Sequence, residues 1–567
     1  MKLLIVVPRS AAGGLSSDYR YLFPLGLAYI SSMLKKAGHD VDCLNLNHYD
    51  GPIENLMNQS FSKKRYDYVL TGGLSTSYKQ IKSVSDAVHT LDHSVGLILG
   101  GGLISSEPEL MFNTLQPDYI VIGEGEKTIC ELLECLENKE DIGNIAGIGY
   151  RNNQGKTICT KPQTPIDDLD SIPYPDFEGF EFDKYLDRMR PNDQYFYDLF
   201  DYPRVYPIVC SRSCPFLCTF CFHPVGNKYR QRSVNSIIDE LSIMIRKYRI
   251  NTIAIYDELF SNSRDWLYEF CRRFKQITAE LPWECRWSCQ MRVDKLDDEM
   301  LKTMKDAGCY MVSYGFESHS PIVLKSMRKH ITPVQIDRAV NSTLKHNLSI
   351  QANFIFGDRA ETVQTAKETL DYWKNNNHAG IMLAFINPYP GTTLYKHCLE
   401  KGVIKDKLDF IENHISDVIN ITDEITDNEF EKLKIDIFEA GLKYRICAIP
   451  VSVKKRKDTG TYNIQVKCPH CNENIEYRNY IITYKLFFGF KMYCRQCRRR
   501  FFLMSRLYQY VTKSYLLLSP VMSRRMKIAA SHARGHVIKI RDRIRRWVKR
   551  VFNRFFYNVE SVLRRCF

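Results

Sequence analysis

Three cysteines, Cys214, Cys218 and Cys221, stand at spacings of four and three in the stretch Cys214-Pro-Phe-Leu-Cys218-Thr-Phe-Cys221. Thiolates so spaced on one loop can reach three corners of a single iron–sulfur cubane. Such clusters ordinarily take four thiolates. A three-cysteine site leaves one iron open, as a catalytic zinc keeps one position open for its substrate. The same residues could instead form a structural zinc loop or be buried free thiols. Cys210 makes a second four-residue spacing with Cys214 but has no third partner at the right distance, so it reads as a packed strand-end thiol.

A second set lies downstream. Cys468-Pro-His-Cys471 and Cys494-Arg-Gln-Cys497 flank a β-rich stretch from Ile475 to Met492, the pattern of a zinc ribbon. Four thiolates close a tetrahedral structural site. His470 is expected to face solvent. Tyr484, Phe487, Phe488 and Phe490 beside Arg495 and Arg498–Arg500 suit nucleic acid, a protein partner or packing onto the rest of the chain.

The elements that must position these thiols follow from the pattern of apolar residues. Up to about residue 140 the chain alternates apolar strands (Leu3–Val7, Val41–Asn45, Tyr68–Thr71, Gly96–Leu99, Tyr119–Ile122) with amphipathic helices such as Pro24–Ala37 and Tyr78–Leu91. Five such units predict a doubly wound parallel sheet with its crevice at the strand carboxyl ends. Those ends carry Thr71-Gly72-Gly73-Leu-Ser75, Gly100-Gly101-Gly102 and Gly123-Glu124-Gly125. Glycine lets backbone approach a bulky ligand closely, and a generic nucleotide site would use it equally well.

Residues 141–204 read as a proline-rich, extended connector with a hairpin near Asn152–Gly155. The alternation resumes from Val205 to about Gly402. Strands are expected at Val205–Val209, Thr252–Tyr256, Glu284–Cys289, Tyr310–Gly315, Ser349–Phe356 and Gly380–Ile386. Six units predict a partial parallel (β/α)6 barrel. Its carboxyl ends bear Asp257-Glu258, Arg292, Gly315-Phe-Glu317-Ser and Gly357, any of which could instead cap a helix or pair with a neighbour. Residues 403–450 read as a helical flank, 465–503 as the ribbon and 504–567 as a basic amphipathic helical tail.

Composition narrows the class. The chain has 567 residues, enough for several cores, with ordinary apolar (44%) and charged (25%) content. Nineteen cysteines and an N-terminus that reads as a first strand argue for a reducing, cytoplasmic compartment. No run of 18 apolar residues suggests a membrane span. The net charge is +14, and from Val521 onward fourteen lysines and arginines face only Asp542 and Glu560. There Val537, Ile540, Ile544, Trp547, Val548, Val551, Phe555, Val559 and Val562 recur at helical spacing. Such a helix lies on an anionic membrane surface or docks on the enzyme, with nucleic acid ranking below both.

In combination these motifs resemble the cobalamin-dependent radical S-adenosylmethionine (SAM) family. The resemblance rests on C-x3-C-x-Phe-C, Pro24-Leu-Gly-Leu-Ala28, the triple glycine with Pro108-Glu109, Gly-Glu-Gly-Glu126, Met304-Lys-Asp-Ala-Gly-Cys309 and Gly-Phe-Glu-Ser318. It spans roughly residues 1–400. It implies a [4Fe-4S] cluster on Cys214, Cys218 and Cys221 that cleaves SAM to a 5′-deoxyadenosyl radical, with Phe220 near the adenine. Arg292, Gly315 and Glu317 would serve SAM's polar groups, and Asp257 or Glu258 its amino group or the substrate.

The glycine loops, with Thr71, Ser75 and Glu124, would hold cobalamin. No D-x-H-x-x-G loop follows the first strand, and His48-x-x-Gly51 is expected as surface loop, so histidine ligation of cobalt is not expected. Gly357-Asp-Arg-Ala-Glu-Thr362 also departs from the family by lacking its Pro-Gly.

The implied outcome is modification of an unactivated carbon, most often by methyl transfer. A non-methylating cyclase or oxidoreductase, or a sensor without turnover, is the alternative. Implied partners are a small-molecule, lipid-linked or carrier-bound substrate and an electron donor such as flavodoxin or ferredoxin.

Overall fold

A computed structural model describes residues 1–10, 22–191, 199–522 and 526–527. The apolar pattern of the tail from Val537 to Val562 lies outside these residues.

The first sheet contains β1 (Lys2–Val7), β2 (Asp40–Asn45), β3 (Tyr68–Gly72), β4 (Gly96–Gly100), β5 (Tyr119–Val121), β6 (Ile148–Arg151) and β7 (Thr157–Cys159) in the order 2-1-3-4-5-6-7. The first five are parallel, and β1, β3 and β4 are buried on both faces, whereas β2 is an edge strand. A strand covered on both sides has no polar face, so β1 is apolar from Leu3 to Val7. Leu3, Ile5 and Val7 point into one core, Leu4 and Val6 into the other. The expected hairpin is present, but β6 pairs antiparallel with β5, so the sheet extends past residue 140. Nor is the stretch before residue 190 a loose connector. Phe177, Phe180, Phe182 and Tyr185 are buried in the same core as the second sheet's Val205, Tyr206 and Ile208. That continuous core holds the two sheets against each other.

The second sheet is all parallel, in the order 15-14-13-12-11-8. Its strands are β8 (Val205–Ile208), β11 (Thr252–Ile255), β12 (Arg286–Met291), β13 (Cys309–Glu317), β14 (Ser349–Phe356) and β15 (Ile381–Phe385). This is the expected partial barrel. Between β8 and β11, the short β9 (Ser211–Arg212) and β10 (Arg230–Gln231) pair antiparallel and bracket the cysteine loop.

Beyond the helix Asp427–Tyr444 come β16 (Cys447–Ala448), β17 (Pro450–Lys455), β18 (Tyr462–Lys467), β19 (Asn474–Tyr480), β20 (Gly489–Tyr493) and β21 (Arg500–Met504), forming two three-stranded sheets. They rest on the amino ends of the barrel strands. Tyr493 meets Tyr310 edge-on at 6.0 Å, Arg500 Nη2 lies 3.1 Å from Met311 Sδ, and Asp201 accepts from Arg495 and the Arg478 backbone, both at 2.7 Å. The ribbon is therefore on the opposite side of the barrel from the strand carboxyl ends. Among the described residues, no helix is long and apolar enough to cross a membrane.

Candidate active site

The carboxyl ends of β1, β3, β4 and β5 face those of β8 and β11 across a cavity of about 1110 Å³. Its first wall contains Thr71, Gly72, Gly73, Gly100, Gly101, Gly102, Gly123, Glu124 and Gly125. Its second contains Val209, Ser211, Arg212, Ser213, Asp257 and Glu258. Backbone forms much of the first wall because the loops press together. A Cβ on Gly72 would lie 2.3 Å from the Gly100 carbonyl oxygen. A large, largely apolar slot with a backbone floor fits a planar corrin, and these loops are the residues that would hold one.

Several side chains of that wall have other partners. The Thr71 hydroxyl donates to the Val6 carbonyl at 2.8 Å. Ser75 is not part of the lining, and its Oγ sits 3.3 Å from Ser106 Oγ. The Glu124 carboxylate accepts from Arg230, Arg212 and the Ile166 backbone N–H. Its role is to tie β5 to the β9–β10 hairpin. His48 is not a surface residue. It is buried, with Nδ1 3.1 Å from Glu181 and Nε2 3.3 Å from Asn45, and it is absent from the cavity lining.

Asp257 and Glu258 are adjacent but differ. Asp257 is buried and accepts from the Cys210 backbone N–H (2.8 Å) and Ser211 Oγ (3.0 Å); burial pushes its carboxyl up to about 7. Glu258 opens into the cavity and has no hydrogen-bond partner among the described residues. Surrounding protein still limits its hydration, which raises its carboxyl above the ordinary range. Of the two, only Glu258 presents a free carboxylate.

The cysteine loop lies over three charged residues of the barrel. Lys329 Nζ is 2.7 Å from Glu317 Oε1, and both side chains are nearly buried. Gly315 makes room for this pair, since a Cβ there would fall 2.2 Å from Glu317 Oε1 and 2.6 Å from Lys329 Nζ. Lys329 also lies 5.7 Å from the centre of the Phe220 ring. Arg292 stacks on Phe216 at 3.4 Å, pairs with Asp294 at 2.9 Å and donates to the carbonyls of Lys329 and His330. Arg292 and Glu317 thus shape the floor of the loop, with most of their bonding capacity committed there.

Cys218 is buried, Cys214 and Cys221 half-buried. A hydrogen bond from Cys221 draws the Cys218 thiol down to about 7, with Lys329 and Arg292 also favouring the thiolate. A three-thiol loop over buried cations fits an anionic cluster held at three corners. Lys329 has no motif to announce it, and nothing in the sequence marked it. At the fifth strand, the Glu361 carboxylate accepts from the Gly357 backbone N–H, so this turn closes on itself.

In the ribbon, the sulfurs of Cys468, Cys471, Cys494 and Cys497 all lie within 4.8 Å of one another. Cys468–Cys497 is 3.8 Å and Cys471–Cys494 3.7 Å. Sulfurs about 2.3 Å from one tetrahedral zinc are about 3.8 Å apart, so the four fit that ion. His470 bonds the Arg500 carbonyl at 2.9 Å; it is neither a ligand nor free in solvent.

Comparison with known proteins agrees with this geometry. Residues 15–133 match the B12 binding domain and residues 208–372 the Radical SAM superfamily. An uncharacterized methyltransferase of Pyrococcus horikoshii is 29% identical over 411 residues, covering 71% of this chain and 84% of that protein. Cytidylyl-2-hydroxyethylphosphonate methyltransferase of Streptomyces wedmorensis is 25% identical over 438 residues, 68% of this chain and 79% of that one. The solved radical SAM methyltransferase TsrM of Kitasatospora setae, with tryptophan and a SAM analogue bound, superposes with a TM-score of 0.58 at 16% identity, over 71% of this chain and 77% of that one. With a B12-binding sheet and a Radical SAM barrel facing each other across one cavity, the chain has the domain pairing of the cobalamin-dependent radical SAM enzymes.

Proposed function

We propose that this protein transfers a methyl group from cobalamin to an unactivated carbon of its substrate. The carrying observation is the single cavity walled by the glycine loops of the B12-binding sheet and by Ser213, the neighbour of Cys214. A corrin lying there would share one cavity with the barrel mouth. When bound, the cluster and SAM supply a hydrogen-abstracting radical and cobalamin supplies the methyl group. The methyltransferase names of the two relatives support this outcome.

The chain's own residues would act as follows. Asp257 fixes the backbone entering the cysteine loop, and Lys329, held by Glu317, offsets negative charge beneath it. Glu258 is our assignment for the group that meets SAM's amino group or the substrate. The neighbouring protein limits its hydration, which strengthens such contacts. The substrate is a small, lipid-linked or carrier-bound molecule, and a flavodoxin or ferredoxin supplies electrons. The fourteen basic residues from Val521 onward support attachment to an anionic membrane surface.

The test is reduction of anaerobically reconstituted protein with SAM, with and without cobalamin. We expect deoxyadenosine in both cases and S-adenosylhomocysteine, the signature of methyl-group transfer, only with cobalamin. Deoxyadenosine without S-adenosylhomocysteine under both conditions would overturn the methyltransferase reading.

A further inference from the structure

The helix Arg506–Leu518, with its 3₁₀ extension Ser519–Val521, has two unlike faces. One is fastened to the protein. Tyr508 stacks on Phe487 at 5.0 Å, Tyr515 meets Phe438 edge-on at 5.6 Å, and the Tyr515 hydroxyl donates to Glu439 at 3.2 Å. The other is apolar and open. Leu507, Tyr510, Val511, Leu517, Leu518 and Val521 are spaced by three, four and seven, so they share about a third of the helix circumference. Their exposures run from 47% to 83%. Leu486, 78% exposed, is the neighbour of Phe487, whose stack on Tyr508 brings this loop to the helix's first turn.

Charge says what the open face is for. Arg506 and Lys513 are exposed along one flank of the stripe, and the helix carries no acidic residue. The bias continues through the chain: between Glu476 and Asp542 there are fifteen lysines and arginines and no carboxylate side chain. An apolar stripe flanked by cations, on a helix with no acidic residue of its own, suits a surface that is anionic outside and apolar just beneath. We propose that this face, with Leu486, seats the protein on an anionic lipid bilayer. The inference rests on the membrane attachment proposed above and assigns it a second, folded contact besides the tail. The tail itself is a poor cover for the stripe, because its own arginines would be brought against Arg506 and Lys513. A nucleic acid would meet the arginines but leave six open apolar side chains without a partner.

Flotation of the full-length protein with vesicles of phosphatidylcholine, alone or mixed with phosphatidylglycerol, tests this. Tyr510→Glu with Leu517→Glu places two carboxylates on the stripe at exposed positions, so zinc content and melting should be unchanged. The wild type should float with the mixed vesicles and not with phosphatidylcholine alone. The double variant should bind the mixed vesicles about tenfold more weakly or worse. A double variant that binds like wild type, while Arg541→Glu with Arg545→Glu abolishes binding, overturns the inference and leaves attachment to the tail. A wild type that ignores mixed vesicles overturns both. If the wild type is a lipid-free dimer and the double variant a monomer, the stripe is an interface between copies and the inference fails.

Discussion

Arg230 Nη1 stands 2.9 Å from both carboxylate oxygens of Glu124, with both side chains almost completely buried. Arg212, two residues before Cys214, bridges Glu124 and Glu126. One buried ion cluster therefore joins the loop after β5, on the cobalamin side, to the hairpin that delivers the cysteines. Removing one member of a buried pair leaves an uncompensated charge and costs about 3–5 kcal/mol. Glu124→Ala should lower stability to urea by roughly that amount, with Glu124→Gln between it and wild type. A loss below about 1 kcal/mol would mean the pair behaves like a solvated surface bridge.

Cys218 is the buried member of the thiol triad, and Lys329 favours its thiolate. Cys218→Ala should leave a cluster held by two thiolates. Iron content and the cluster's visible absorbance should both collapse, and deoxyadenosine yield should fall by at least about a hundredfold, comparable with losing an essential catalytic group. Far-ultraviolet circular dichroism should stay unchanged, because one small buried side chain does not organise the barrel. Undiminished deoxyadenosine in this variant would remove the cluster from these cysteines.

Much of this was legible in the sequence where the signal was local. Strands covered on both faces read as apolar runs, so β1 and β8 fall where their Leu, Ile, Val and Tyr residues stand. The two C-x2-C knuckles converge because each is its own short turn. What failed was long-range. Nothing local marks Arg212 and Arg230, because folding brings Glu124 to them from 88 and 106 residues away. His48 looked like loop because its partner Glu181 is 133 residues on. The addition of β6 to the first sheet depends on pairing with β5, which no periodicity within the hairpin announces.

The ribbon lies at the amino ends of the barrel strands, away from the cysteine loop. Its metal should accordingly be separable from the chemistry. Cys471→Ser should lose about one equivalent of zinc and loosen residues 465–503, since such sites contribute folding energy outright. Hydrogen exchange should rise there and not at β11–β14. SAM cleavage should persist. Loss of cluster iron in this variant would instead place a second cluster in the ribbon.

Asp257 and Glu361 are buried carboxyls raised to about 7 and about 8. Unfolded, such groups titrate near 4. Between those limits the folded chain keeps protons that the unfolded chain has released, so these groups make stability fall as pH rises. Their contribution is complete below pH about 4 and is lost through pH about 7 for Asp257 and about 8 for Glu361. Asp257→Asn keeps an acceptor for the Cys210 N–H and can donate to Ser211 Oγ, which still donates to the Leu259 carbonyl at 2.8 Å. The variant should gain on wild type as pH rises from 5 to 8, by an amount on the order of 1–3 kcal/mol. Urea midpoints at pH 5, 6, 7 and 8 would measure it. A constant difference between variant and wild type across that range would show that Asp257 is already ionised in the folded protein and that its backbone bonds outweigh its burial.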